Sequence, residues 1–144
     1  MDAEKNYHHG DLKNLLITKV LEAVKNNYLE KFSIREAARY LDVSPAAPYN
    51  HFNDKEALIL ASIYYCKNKF IDHLKNKILT NETNENIKLA ILGKSYLKYA
   101  NDNPEIFIFM FSRTLSDNDR INNYQEFHKL FLDAINESFS TEDL

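Results

Sequence analysis

Cysteine, glycine and proline are almost missing from this 144-residue chain, which has Cys66 alone, two glycines and three prolines. One thiol cannot close an internal disulfide, nor build a zinc site from several cysteines. Tight hairpins recruit glycine, so its scarcity argues against a many-stranded sandwich or barrel. A chain of long helices with few turns tolerates the shortage. No apolar run approaches the roughly 20 residues that span a bilayer. The opening Met1-Asp2-Ala3-Glu4-Lys5 has no apolar core, and a secretory signal is not expected. Glycine-rich phosphate loops and nucleophile elbows are lacking too. His8-His9-Gly10-Asp11 and Glu126-Phe127-His128 set imidazoles beside carboxylates, but at a spacing that matches no established metal-ligand motif. The expectation is an all-α cytoplasmic protein that is not an enzyme and uses no cofactor or metal.

What is present is ordinary in amount and informative in position. Hydrophobic residues make up 44% of the chain and charged residues 27%, a globular balance. The net charge of −3 argues weakly against nucleic acid, whose binders usually carry a basic footprint. The acidity, however, is not evenly spread. Residues 1–55 hold 8 basic and 8 acidic side chains, whereas residues 56–144 hold 10 and 13. A neutral module still binds phosphates if its cations share one face.

Helical periodicity runs along the chain. Leu12, Leu15, Leu16, Val20, Ala23 and Val24 recur at the i, i+3, i+4, i+8 spacing of an amphipathic helix over about 11–26. Asp11 stands at its start, where a carboxylate opposes the helix dipole, and Asn26-Asn27 end it. Ser33-Ile34-Arg35-Glu36 has the spacing of a capping box and opens a short helix over about 34–41. Ser44-Pro45 places a hydroxyl cap before a proline, which predicts another short helix over about 45–51. Pro48 disturbs it, because a missing N–H and a ring belong in a first turn only, so this helix is expected to start one or two residues late. Asn53-Asp54 cap a helix running to about Lys77. Three more helices follow at about 85–101, 105–114 and 120–139, with Asp102-Asn103-Pro104 dividing the first two.

Two short helices behind a longer one match a helix-turn-helix. Ala37 and Ala38 are small enough for close approach, and Leu41, Val43 and Phe52 are the expected interior of the turn. The position after Leu41 is Asp42, where glycine is common, and aspartate tolerates a positive φ less well. The next segment opens with small residues and then offers the polar tips of Tyr49, Asn50 and His51. A major groove about 12 Å wide admits such a helix.

Three stretches carry a specific resemblance: Tyr7-His8-His9-Gly10-Asp11-Leu12, Phe32-Ser33-Ile34-Arg35-Glu36-Ala37-Ala38, and Val43-Ser44-Pro45-Ala46-Ala47-Pro48-Tyr49-Asn50-His51-Phe52 with the following Asn53-Asp54-Lys55-Glu56-Ala57-Leu58. Together they resemble the DNA-binding domain of TetR/AcrR-family transcriptional regulators, in the subgroup with a YHHGDL start and an SPAAPY recognition helix. The resemblance covers roughly residues 7–60. Asn103-Pro104-Glu105-Ile106-Phe107-Ile108-Phe109-Met110-Phe111 looks like a segment of one C-terminal ligand-binding class of that family.

The resemblance implies a helix-turn-helix domain over 7–56 and a helical regulatory domain over 57–144. It implies a ligand-responsive regulator, usually a repressor, that binds a palindromic operator in double-stranded DNA as a homodimer. Family members run longer and end in two helices that pair with a partner's. This chain stops at Ser140-Thr141-Glu142-Asp143-Leu144, so it is expected to lack them and to self-associate weakly. Position by position, Ser33, Arg35, Ser44, Pro45, Ala46, Ala47, Tyr49, Asn50, His51 and Lys55 fall on DNA-facing sites. Arg35 suits a bidentate contact to guanine or phosphate. Ser44 offers a hydroxyl and backbone N–H groups at a helix N-terminus. The methyls of Ala46 and Ala47 suit a thymine methyl. Tyr49, His51 and Lys55 match phosphate contacts. Asn50 stands where Arg or His is frequent, and Arg39 supplies part of the missing charge. At high salt, binding is expected to be weaker than that of a basic relative.

Residues 56–144 are rich in aromatic side chains, most of them expected in a helix-bundle core. Tyr64, Tyr96, Tyr99, Phe107, Met110, Phe111 and Phe127 are the candidate lining of a pocket for a small apolar effector. The rival to a regulator is a DNA-independent helical module that pairs with a related full-length protein.

Overall fold

A computed structural model describes residues 11–80, 87–112 and 117–138, apart from the side chains of 117–124 and 138. The Tyr7–Gly10 part of the resemblance, with its His8-His9 pair, lies outside them. Every regular element among the described residues is helical: α1 Leu12–Lys25, α2 Ile34–Tyr40, α3 Lys55–Thr80, α4 Lys88–Asp102, α5 Pro104–Phe111 and α6 Asp117–Ser138. Short 3-10 turns cover Leu29–Lys31 and Ala47–Asn50. No helix of the described residues is long and apolar enough to cross a membrane. The chain divides into two compact units after Ser62, within α3 and six residues beyond the boundary expected from the sequence.

In the first unit, α1 buries Leu12, Leu16, Ile17, Val20, Ala23 and Val24. Burying each large aliphatic of that stripe is worth about 1.5–3 kcal/mol. Asp11 does not cap a backbone N–H here; its Oδ1 accepts from the Asn14 side chain at 2.8 Å. The helix closes through Asn27, whose φ is 56°. With the chain turned left-handed, the Asn27 N–H donates to the Val24 carbonyl at 3.1 Å and the Tyr28 N–H to that of Ala23 at 3.0 Å. α2 starts as its spacing predicts: Ser33 Oγ accepts from the Glu36 N–H at 3.4 Å. It ends by the same device as α1. Asp42 has φ 57°, its N–H donates to the Arg39 carbonyl, and the Val43 N–H donates to the Ala38 carbonyl at 3.0 Å. An aspartate thus occupies the left-handed seat that glycine fills at least cost.

The α-helix expected over 45–51 does not form. Its place is taken by the four-residue 3-10 turn Ala47–Asn50. An α-helix capped by Ser44 needs its first bond from the N–H of residue 48 to the Ser44 carbonyl, and Pro48 has no N–H. The chain instead makes three-residue closures, Ala47 to Ser44 at 3.0 Å, Tyr49 to Ala46 at 3.1 Å and His51 to Pro48 at 3.0 Å, and ends on one four-residue closure, Phe52 to Pro48 at 3.0 Å. The turn packs on both α1 and α2, and Pro48 is its buried residue. Phe52 is buried as well. α3 then opens on Asp54, whose Oδ1 accepts from the Ala57 N–H at 2.7 Å.

The second unit holds the rest of α3 with α4, α5 and α6. Asn103-Pro104 separates α4 from α5: the Asn103 N–H closes α4 on the Tyr99 carbonyl at 3.0 Å, and Pro104 takes the first position of α5. α4 contacts α5 and α6. Phe70, Leu74, Leu92, Phe109 and Met110 are buried here. Ion pairs Lys75–Glu126 and Lys88–Glu137 tie α6 to α3 and α4.

The left-handed seats give a direct stability test. Asn27→Ala is expected to lower unfolding free energy by about 1 kcal/mol, since a β-carbon without a polar arm is strained there. Asn27→Gly is expected to hold stability within about 0.5 kcal/mol, its ease in the turn offset by its freedom in the unfolded chain. Urea unfolding of both variants measures this.

Candidate nucleic-acid interface

The first unit exposes most of the sequence-derived contact residues. Arg35 and Arg39 stand four residues apart on α2, both exposed. With Glu36, Asp42, Val43 and Pro45 they line a shallow groove of about 360 Å³. Arg39, read from sequence as a source of charge only, therefore shares the groove with Arg35; the i,i+4 spacing was the available signal. Ser44, Pro45 and Ala46 are exposed and Ala47 is half-buried. Tyr49, Asn50 and His51 are exposed on or just after the 3-10 turn. Tyr49, at 45% exposure, is not a core aromatic. The buried Phe52 sits beneath, its ring centre 6.5 Å from that of His51.

Two serines are already engaged. Ser33 Oγ caps α2, and Ser44 Oγ accepts from the Ala47 N–H at 3.2 Å. The expected phosphate seat at a helix N-terminus after Ser44 is not built, because a single 3-10 turn follows instead of an α-helix with aligned free N–H groups. Lys55 is half-buried, and its Nζ donates to the Glu30 carbonyl at 3.0 Å and lies 6.0 Å from the Phe32 ring centre. A neutral carbonyl uses one of three ammonium donors and cancels no charge. Lys19 is committed elsewhere, bonded to Glu22 at 2.8 Å and resting 3.7 Å over the Tyr40 ring. The hydrogen bond it donates to Glu22 holds its ammonium above the ordinary lysine range.

The candidate pocket residues of the second unit are placed differently from one another. Tyr96, Tyr99, Phe107 and Phe127 surround Phe70, with ring centres 5.5, 4.7, 6.0 and 6.2 Å from it. Offset and edge-on rings at such separations fill space as a core does. Met110 is buried, Phe111 lies exposed beside Phe107, and Tyr64 is exposed on α3. A cleft of about 420 Å³ opens instead along α3 and α4, lined by His73, Lys77, Ile91, Lys94, Ser95, Lys98, Tyr99, Asp102 and Asn103. Of the seven candidates, Tyr99 lines it. Burial holds the His73 imidazole below its ordinary value, with Lys77 adding to the effect. Burial also raises the Tyr99 phenol, while the Lys98 hydrogen bond lowers Asp102.

No protein-family model matches the sequence, and no curated protein does. Two solved structures share the fold. A protein of unknown function from Rhodococcus sp. RHA1 superposes with a TM-score of 0.81 at 23% identity, over 95% of this chain and 72% of that one. A TetR family transcription regulator from Marinobacter aquaeolei VT8 gives 0.69 at 18% identity, over 91% and 70%. The chain therefore has the all-helical fold of that regulator, and at these identities the likeness shows the fold.

The depressed imidazole has a consequence for stability. The unfolded chain protonates His73 near 6.5, while the folded chain protonates it only at lower pH. Its contribution is complete above the unfolded value and is lost as pH falls toward the folded one. His73→Gln is expected to flatten the drop in thermal midpoint between pH 7.5 and 5.5; an unchanged drop contradicts the assignment.

Proposed function

We propose that this chain is a sequence-specific DNA-binding transcriptional regulator, a ligand-responsive repressor that works in the cytoplasm as a homodimer on a palindromic operator. The observation that carries the reading is the exposure of Arg35 and Arg39 on α2, and of Tyr49, Asn50 and His51 on or just after the turn that packs against α2, over a packed, apolar interior. The fold held in common with the Marinobacter regulator supports it.

In this reading residues 7–56 bind DNA and 57–144 regulate. Arg35 presents its planar fork to a guanine edge or a phosphate. Ser44 to Ala46 carry little bulk, so the backbone comes close to the duplex, and an alanine methyl packs on a thymine methyl. Tyr49, His51 and Lys55 meet phosphates, with Arg39 adding charge on the Arg35 side. The groove also holds Glu36 and Asp42, so the face attracts DNA through a few placed cations rather than through net charge. Two copies reading half-sites about 34 Å apart gain through effective concentration. An effector shifts the equilibrium by its difference in affinity for the two helix arrangements.

Selection from a random duplex pool, followed by gel shifts at two salt concentrations, tests this. The expected result is a palindromic preference with salt-sensitive binding. Arg35→Ala is expected to cost about 1–3 kcal/mol at one base pair, whereas Lys55→Ala weakens all sequences alike and reduces the salt slope by about one. No binding at low salt overturns the reading in favour of a protein-pairing module.

A further inference from the structure

The cleft along α3 and α4 carries chemistry that the aromatic cluster does not. We propose that it is a binding site for a small organic anion with a flat apolar body, the anion held by Lys94 and the Ser95 hydroxyl and the body lying against Ile91 and Tyr99. Its use as a regulatory site rests on the DNA-binding reading; the binding itself does not.

Four observations converge. First, the volume of about 420 Å³ falls within the roughly 300–1,000 Å³ of small-molecule sites. Second, the lining sets two ammonium groups, Lys94 and Lys98, beside the carboxylate of Asp102. That carboxylate is taken by Lys98 at 2.7 Å, and among the described residues none pairs with Lys94. Third, Ser95 is only 8% exposed, lines the cleft, and makes no hydrogen bond among the described residues. The contrast with Ser62 is instructive. That equally helical, buried hydroxyl donates to the Leu58 carbonyl at 2.8 Å. A buried hydroxyl left unmatched is costly, and an acceptor entering the cleft recovers that cost. Fourth, the Tyr99 ring, 5.4 Å from His73 and 4.7 Å from Phe70, gives one wall a rigid flat surface continuous with the core.

The sign of the ligand follows from these donors. Ammonium and hydroxyl groups favour a carboxylate, sulfonate or phosphate head, and a cation meets like charge. The flat wall and the Ile91 side chain favour an aromatic body over a sugar.

The test uses 2-naphthoate as probe, with neutral 2-naphthamide as its isostere, on the full chain at pH 7. Calorimetry or ligand-observed NMR gives the affinities, and the His73 ring signals report location. The expected result is at least fivefold tighter binding of naphthoate, with the His73 signals moving. Lys94→Gln is expected to remove most of that preference while leaving naphthamide binding unchanged, and Ser95→Ala to weaken both probes, since the carboxylate and the amide carbonyl each accept from its hydroxyl. Equal binding of the two probes overturns the proposal. So does naphthoate binding that ignores Lys94→Gln, or no binding of either probe at millimolar concentration. Naphthoate binding in a chain that fails to bind DNA keeps the site and removes its regulatory meaning.

Discussion

Pro48 has no N–H to give, and the outward face of the first unit follows from that. The residue that the first α-helical bond requires is the one residue unable to make it. The segment after Ser44 therefore opens with three-residue closures and forms one 3-10 turn, with a single four-residue closure, Phe52 to Pro48, at its end. The same ring that forbids the helix anchors the turn, since Pro48 is buried where the turn packs on α1 and α2. Tyr49, Asn50 and His51, next in the chain, are left exposed. Upstream, the left-handed Asp42 ends α2 and leads the chain into the turn that packs against it.

This arrangement sets what kind of interface is available. A long recognition helix offers aligned N–H groups and a dipole at its start; a single turn offers neither. Under the proposed function, recognition rests on side chains: the guanidinium groups of α2, the phenol and imidazole around the turn, and Lys55. Their charge is partly offset by Glu36 and Asp42 in the same groove. A face built this way depends on placement, which is consistent with an N-terminal segment of no net charge.

Much of this was legible in the sequence, because helix boundaries obey local rules. The Ser33 cap, the Asn27 stop, the Asp54 cap and the Asn103-Pro104 break are all set by residues within a few positions of where they act. The turn at Ala47–Asn50 is less legible, although Pro48 marks a disturbance there. Capping and proline preferences favour a helix start, and only the bookkeeping of the Ser44 carbonyl shows that its first bond is impossible. The cleft was illegible for a different reason. His73 and Lys77 lie on α3, Lys94 and Ser95 on α4, and no spacing rule relates residues on two helices. Aromatic content pointed to Tyr96, Phe107 and Phe127, which the fold spends on a cluster around Phe70.

The central claim is that one face, from Ser33 to Lys55, meets DNA. Backbone amide shifts of the isotopically labelled chain, recorded while a duplex is added at low salt, test it most directly. The account predicts changes concentrated at Arg35, Arg39 and Ser44 to His51, with α4 and α6 unmoved. Changes centred on α4 to α6, or none at saturating duplex, would contradict it.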